Sequence, residues 1–208
     1  MNSKILIVAC AFVLYMGCQS DSEDPSGYDN IRWADSVIAF STQYDTVNWS
    51  AHQALDAPNT YPEYGDIETA WTSEERDFQR EYLELGYNAD PQPIRSIAIF
   101  ETYNPGFVDT VYVRNPMTNL WEVVYQDSAR DAGDSSRIFI INFPPTSFNV
   151  SAIRIAIDEA RIIGWNEIDA VGISYEMIPP ASDTAFWAPI LPSPGSVTTK
   201  ALMVKKRK

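Results

Sequence analysis

Hydrophobic and polar residues alternate with a period of two along most of this chain. An apolar-rich run at 36–40 opens the series. Segments at 81–87, 95–101, 110–114, 120–125, 137–142, 152–157 and 169–175 continue it. Residues two apart share one face of a strand, so each segment predicts a strand with one buried side. The segments are rich in Val, Ile, Tyr and Phe, which suit a pleated surface. Asn104-Pro105-Gly106, Asn115-Pro116 and Pro144-Pro145 punctuate them as turns. Short strands at this spacing predict an all-β fold, an antiparallel β-sandwich or barrel. No stretch keeps a helical period over three turns. Residues 49–55 have room for one helical turn.

The two ends have a different character. Lys4 precedes an apolar run at 5–16, the length of an export-signal core and short for a bilayer. Tyr15-Met16-Gly17-Cys18 resembles the bacterial lipobox, whose Cys is diacylated and begins the mature protein; Tyr15 stands where Leu is usual. The resemblance implies a lipoprotein signal peptide at 1–17, lipidation at Cys18, and a hold on the lipid bilayer in the cell envelope, at the outer membrane. Residues 18–35 read as an acidic tether. Its Asp21, Glu23 and Asp24 resemble surface-export signals of some Gram-negative lipoproteins, or form a plain spacer. The folded domain is expected over 36–177. Residues 178–208 form a Pro-rich tail that ends in the basic Lys205-Lys206-Arg207-Lys208.

Charge and composition narrow the chemistry. The chain carries 28 acidic and 15 basic residues, a net charge of −13. Such a surface repels nucleic acid, which is excluded as a partner. Cys10 leaves with the signal and Cys18 takes lipid, so no thiol remains for a disulfide or a nucleophile. His52 is the only His, too few for a His/Cys zinc cluster. It stands in a segment without a nucleophile elbow. No Gly-rich phosphate loop occurs. Acid pairs can hydrolyse glycosides, but 28 acids make chance pairs inevitable.

Three stretches carry a family resemblance. Ala51-His52-Gln53-Ala54-Leu55-Asp56-Ala57-Pro58-Asn59, then 65–73 with Trp71, then Tyr82-Leu83-Glu84-Leu85 resemble the opening of a discoidin or galactose-binding-like domain. Ala57-Pro58 replaces the usual Gly. Glu101 to Gly106 with Val111-Tyr112-Val113, and Glu167-Ile168-Asp169-Ala170-Val171, resemble the discoidin-like domain of a leucine-rich-repeat F-box protein and its bacterial relatives. The resemblance implies a jelly roll of two packed antiparallel sheets. It also implies a structural Ca²⁺ held by oxygens of Asp56, Asp66 and Thr69, ligands that suit a hard cation.

Candidate site residues follow from both readings. Alternation puts Glu101 on the face of Ile97 and Ile99, where a carboxylate needs backbone N–H groups or an Arg. Asp169 raises the same question, with Arg154 as its candidate partner. The two acids are structural clamps or a catalytic pair, and clamps are the expected reading. Among the aromatics, Trp71 and Trp121 are expected in the core. Tyr61, Tyr64 and Trp165 lie in polar loops and are candidate ligand contacts, unless the rings fold back over the core. The expected function is a non-catalytic binding module for a glycan or an envelope protein. Alternatives are a structural or accessory subunit of an envelope complex and a carboxylate-based hydrolase.

Overall fold

The computed structural model describes residues 30–76, 79–89 and 91–179. Each alternating segment becomes a strand: β2 (Ser36–Phe40), β3 (Arg80–Gly86), β4 (Ser96–Tyr103), β5 (Val108–Asn115), β6 (Leu120–Gln126), β7 (Arg137–Asn142), β8 (Ala152–Asp158) and β9 (Glu167–Ser174). One further strand, β1 (Arg32–Trp33), precedes them. All pairs are antiparallel, in a four-stranded sheet β1-β9-β4-β7 and a five-stranded sheet β2-β3-β8-β5-β6. The helical turn appears as a 3-10 segment at Ala51–Ala54. Among the described residues no helix is long and apolar enough to cross a membrane.

The period of two explains the core. Ile97 and Ile99 of β4, Val171 and Ile173 of β9, and Phe139 and Ile141 of β7 meet Leu83, Leu85, Val111, Val113, Ile153, Ile155 and Ile157 of the other sheet. Each fully buried aliphatic side chain contributes about 1.5–3 kcal/mol. Trp71 is wholly buried in this core. The opposite face of the four-stranded sheet is covered too. Ala98, Phe100, Ile138, Ile140 and Ala170 lie under Ile31 and Ile178, with Trp33 and Tyr61 packed against them.

That second layer corrects the domain boundary. The tether expected over 18–35 ends earlier, because Ile31 and Ala34 are buried and Arg32–Trp33 pair with β9. Gly172 permits the pairing: a Cβ there would lie 2.2 Å from Ile31 Cγ2. Ile178, expected in the tail, is buried as well. The signal segment at 1–17, Cys18, most of the tether and the tail beyond Pro179 lie outside the described residues.

Strand direction places every candidate loop at one end. β2, β4, β6 and β8 finish there, and β3, β5, β7 and β9 start there. The described ends of the chain leave from the opposite end, where Asn30 Nδ2 donates to Glu176 Oε2 at 2.7 Å.

Candidate functional site

The long connection after β2 is laid over the start of β9 by backbone bonds. Tyr44 N–H donates to Thr72 O, Trp49 N–H to Glu68 O, and Thr72 N–H to Trp49 O. Trp71 and Ile168 exchange N–H···O bonds of 2.8 and 3.0 Å. The Thr72 hydroxyl donates to Asn166 O at 3.0 Å. Trp49 sits at φ +48°, a left-handed conformation costly for a bulky residue and typical of functional loops. Its ring thereby joins Tyr44 and Trp165.

Trp165 is held from the other side. Asn104 Nδ2 donates to Trp165 O at 2.9 Å, and Asn166 Nδ2 returns to Asn104 O at 2.9 Å. Gly164, at φ +101°, makes the approach possible, since a Cβ would lie 2.6 Å from Asn104 Nδ2. The result is a pocket of about 250 Å³, counted to its open mouth, lined by Tyr44, Trp49, Asp66, Thr72 and Trp165. Tyr44 meets Trp49 at 5.5 Å and Trp165 at 5.7 Å, both edge-on.

A buried acid stands beside this pocket. Glu167 has no exposed surface. It accepts Ile67 N–H at 3.3 Å. Burial first, and then the neighbouring Asp66 carboxylate, push its pKa up to about 8 against the pull of Ile67 N–H. Trp49 lies near enough to steady the carboxylate, although its indole N–H closes no full hydrogen bond. Asp66 itself is exposed at the pocket mouth.

The sequence-derived candidates divide. Trp165 is in the pocket, and so is Asp66. Tyr61 is not: it packs edge-on against Phe100 at 5.3 Å on the outer layer of the four-stranded sheet. Tyr64 stacks edge-on with Tyr103 at 5.6 Å and donates to Asn104 Oδ1 at 3.3 Å. Trp121 is not core. It lies on the outer face of the five-stranded sheet under the Arg154 and Arg114 guanidiniums, 4.9 and 5.8 Å from its ring centroid. Tyr44 and Thr72 carried no signal in the sequence. Trp49 opens the segment at 49–55 that had room for a helical turn, and Glu167 was visible only as part of a motif.

The two buried acids have distinct surroundings. Glu101 faces Arg137 directly across β4 and β7. It pairs with the Arg137 Nε and accepts Gly106 N–H at 3.3 Å. Asp169 is the extra residue of a bulge on β9, because Phe100 pairs with Ala170 and Glu101 with Ile168. Its carboxylate accepts the N–H groups of Asn59, Thr60 and Tyr61 at 3.2, 3.1 and 2.8 Å. Arg154 is not its partner: Arg154 is on the other sheet and bonds Glu84 Oε1 through Nε at 2.6 Å.

The loop expected to hold Ca²⁺ is therefore tied by Asp169. Asp56 is exposed at φ +63°, and its N–H bonds Ala34 O. The Thr69 hydroxyl bonds the Thr60 hydroxyl. Among the described residues no three His, Cys, Asp or Glu gather as a cation site. A Ca²⁺ held by Asp56, Asp66 and Thr69 would also draw on backbone carbonyls, since Ca²⁺ takes six to eight oxygens.

No protein-family model and no curated protein matches this chain in sequence. Solved structures match in fold. Reduced XRCC1 bound to the DNA polymerase β catalytic domain overlays with TM-score 0.53 at 16% identity, covering 72% of this chain and 99% of that one. An F5/8 type C domain from Bacteroides fragilis gives 0.48 at 17%, covering 72% and 99%. CpGH89CBM32-5 from Clostridium perfringens, in complex with GalNAc-β-1,3-galactose, gives 0.47 at 14%, covering 70% and 95%. At these identities the likeness is one of fold alone, an antiparallel β-sandwich.

Proposed function

We propose that this protein is a non-catalytic binding module, anchored in the outer membrane by lipid on Cys18, that takes a glycan in the pocket at its loop end. The observation that carries the reading is the pocket of Tyr44, Trp49 and Trp165 with Asp66 and Thr72. Aromatic walls give a sugar stacking area, and few polar groups fix its orientation. An anchor upstream of Asn30 would leave the sandwich at the end away from the pocket, which suits presentation outward.

A glycan array tests it. Wild type is expected to give a signal that Tyr44→Ala and Trp165→Ala each reduce at least tenfold with the melting temperature retained. No wild-type signal, or a signal indifferent to both changes, removes the glycan reading.

One observation favours a second reading, an accessory subunit that packs on an envelope protein. The outer face of the five-stranded sheet leaves Ile38 and Val123 exposed beside Tyr82 and Trp121. Exposed apolar surface of this kind marks contact sites. It gains ground where the array fails.

A further inference from the structure

The pocket has walls on more than one side. Tyr44 stands at 73° to Trp49 and at 83° to Trp165, with centroids 5.5 and 5.7 Å apart. A flat sugar ring stacks on one aromatic face. Rings set near right angles around one space offer several electron-rich surfaces to a compact guest. Each aromatic face carries a negative quadrupole that attracts a cation within about 6 Å of the centroid.

Two charge observations favour a cationic guest and one opposes it. Asp66 adds a full carboxylate at the mouth, and no Lys or Arg is among the described lining residues. The Arg76 guanidinium lies 5.3 Å from the centroid of Trp165, so a cationic guest shares that ring with a cation of the chain and meets its repulsion. The net charge of −13 enriches cations near the surface.

We propose that Tyr44, Trp49, Trp165 and Asp66 form an aromatic cage for an organic ammonium group, with the rings receiving the cation and Asp66 balancing its charge. This rests on the reading of the pocket as a ligand site and narrows the ligand from neutral to cationic. An amino sugar and a quaternary ammonium headgroup share this chemistry. The pocket is small and open at its mouth, so the ammonium group is the part of the ligand that it contacts and the rest stays outside. The cage makes no covalent step.

Titration of the full chain, followed by tryptophan fluorescence and calorimetry at constant ionic strength, tests the proposal. Choline is compared with its neutral isostere 3,3-dimethylbutan-1-ol, and glucosamine with glucose. At least one ammonium ligand is expected to bind tenfold or more tightly than its neutral counterpart. Choline alone assigns a quaternary headgroup, glucosamine alone an amino sugar; either supports the cage. Asp66→Asn, at an exposed position, is expected to weaken the ammonium ligand tenfold with the fold intact, and Trp165→Phe to retain part of the affinity. Equal binding of charged and neutral ligands, no binding of either ammonium ligand, or an unaffected Asp66→Asn overturns the cage. A neutral-glycan signal lost in Tyr44→Ala, without ammonium binding, overturns the cage and leaves the glycan reading standing. No signal in either experiment removes both.

Discussion

Glu101 and Glu167 show how one residue type takes opposite roles a short distance apart. Glu101 is wholly buried but faces Arg137, whose side chain is itself nearly enclosed. Removing one partner of such a pair leaves a buried charge uncompensated, at a cost of about 3 kcal/mol or more. Glu167 has no cation beside it, and its pKa rises from 4.5 to about 8. The folded state then binds more protons than the unfolded chain between those values. The contribution of this acid to stability is therefore greatest below about pH 4.5, falls as pH rises to about 8, and is level above. Each unit is about 1.4 kcal/mol, so the group accounts for a few kcal/mol across the window. Urea unfolding at pH 5, 7 and 9 checks both acids. Glu101→Gln is expected to lower stability at all three. Glu167→Gln, which mimics the protonated acid, is expected to gain on wild type as pH rises. Parallel pH profiles for wild type and Glu167→Gln would refute the account of that acid.

At the scale of elements, the connection from β2 to β3 is the informative one. It builds two walls of the pocket and crosses the outer layer, and Asp169 holds it there through three N–H groups. Losing that acceptor strands buried donors, at about 1–3 kcal/mol. A Ca²⁺ on Asp56 and Asp66 would instead stabilise the loop by mass action. Thermal melts separate the two. Asp169→Ala is expected to lower the melting temperature by several degrees, while chelator, added Ca²⁺ and Asp56→Ala leave it unchanged. A drop in chelator that Ca²⁺ restores, absent in Asp56→Ala, would put the ion in place of the clamp as the loop's main support. Much of this connection was illegible beforehand. Tyr61 and Trp165 both sit in polar loops, and no local pattern distinguishes a ring that covers a sheet from one that lines a pocket. The bulge at Asp169 decides which backbone its carboxylate meets, and a bulge depends on pairing with a strand far away in sequence.

For the whole molecule, the described chain begins at Asn30, at the end of the sandwich opposite the pocket. Cys18→Ser is expected to move the protein from the membrane fraction to the soluble fraction in a Gram-negative host, after signal removal. A single acyl chain binds membranes only marginally, so a stable anchor needs the several chains of a lipidated Cys. A Ser variant that stays with membranes after cleavage would end the lipoprotein reading, and with it the outward presentation of the loops.

Most strands were readable from the chain because burial of one face imposes a period of two, while β2 was legible only as an apolar run and carries a bulge between Val37 and Ala39. The two-residue β1 is too short to show a period. Local chemistry also announced the Asn104-Pro105-Gly106 turn and the need of Glu101 for a partner. The identity of that partner, Arg137, required the register of β4 on β7. Arg154 shows the limit from the other side: it suited Asp169 by charge, and the assignment of β8 and β9 to different sheets gave it to Glu84. The pocket belongs wholly to the tertiary structure. Tyr44, Trp49, Asp66 and Trp165 come from separate parts of two connections, and they meet only because antiparallel pairing returns both to the same end of the sandwich.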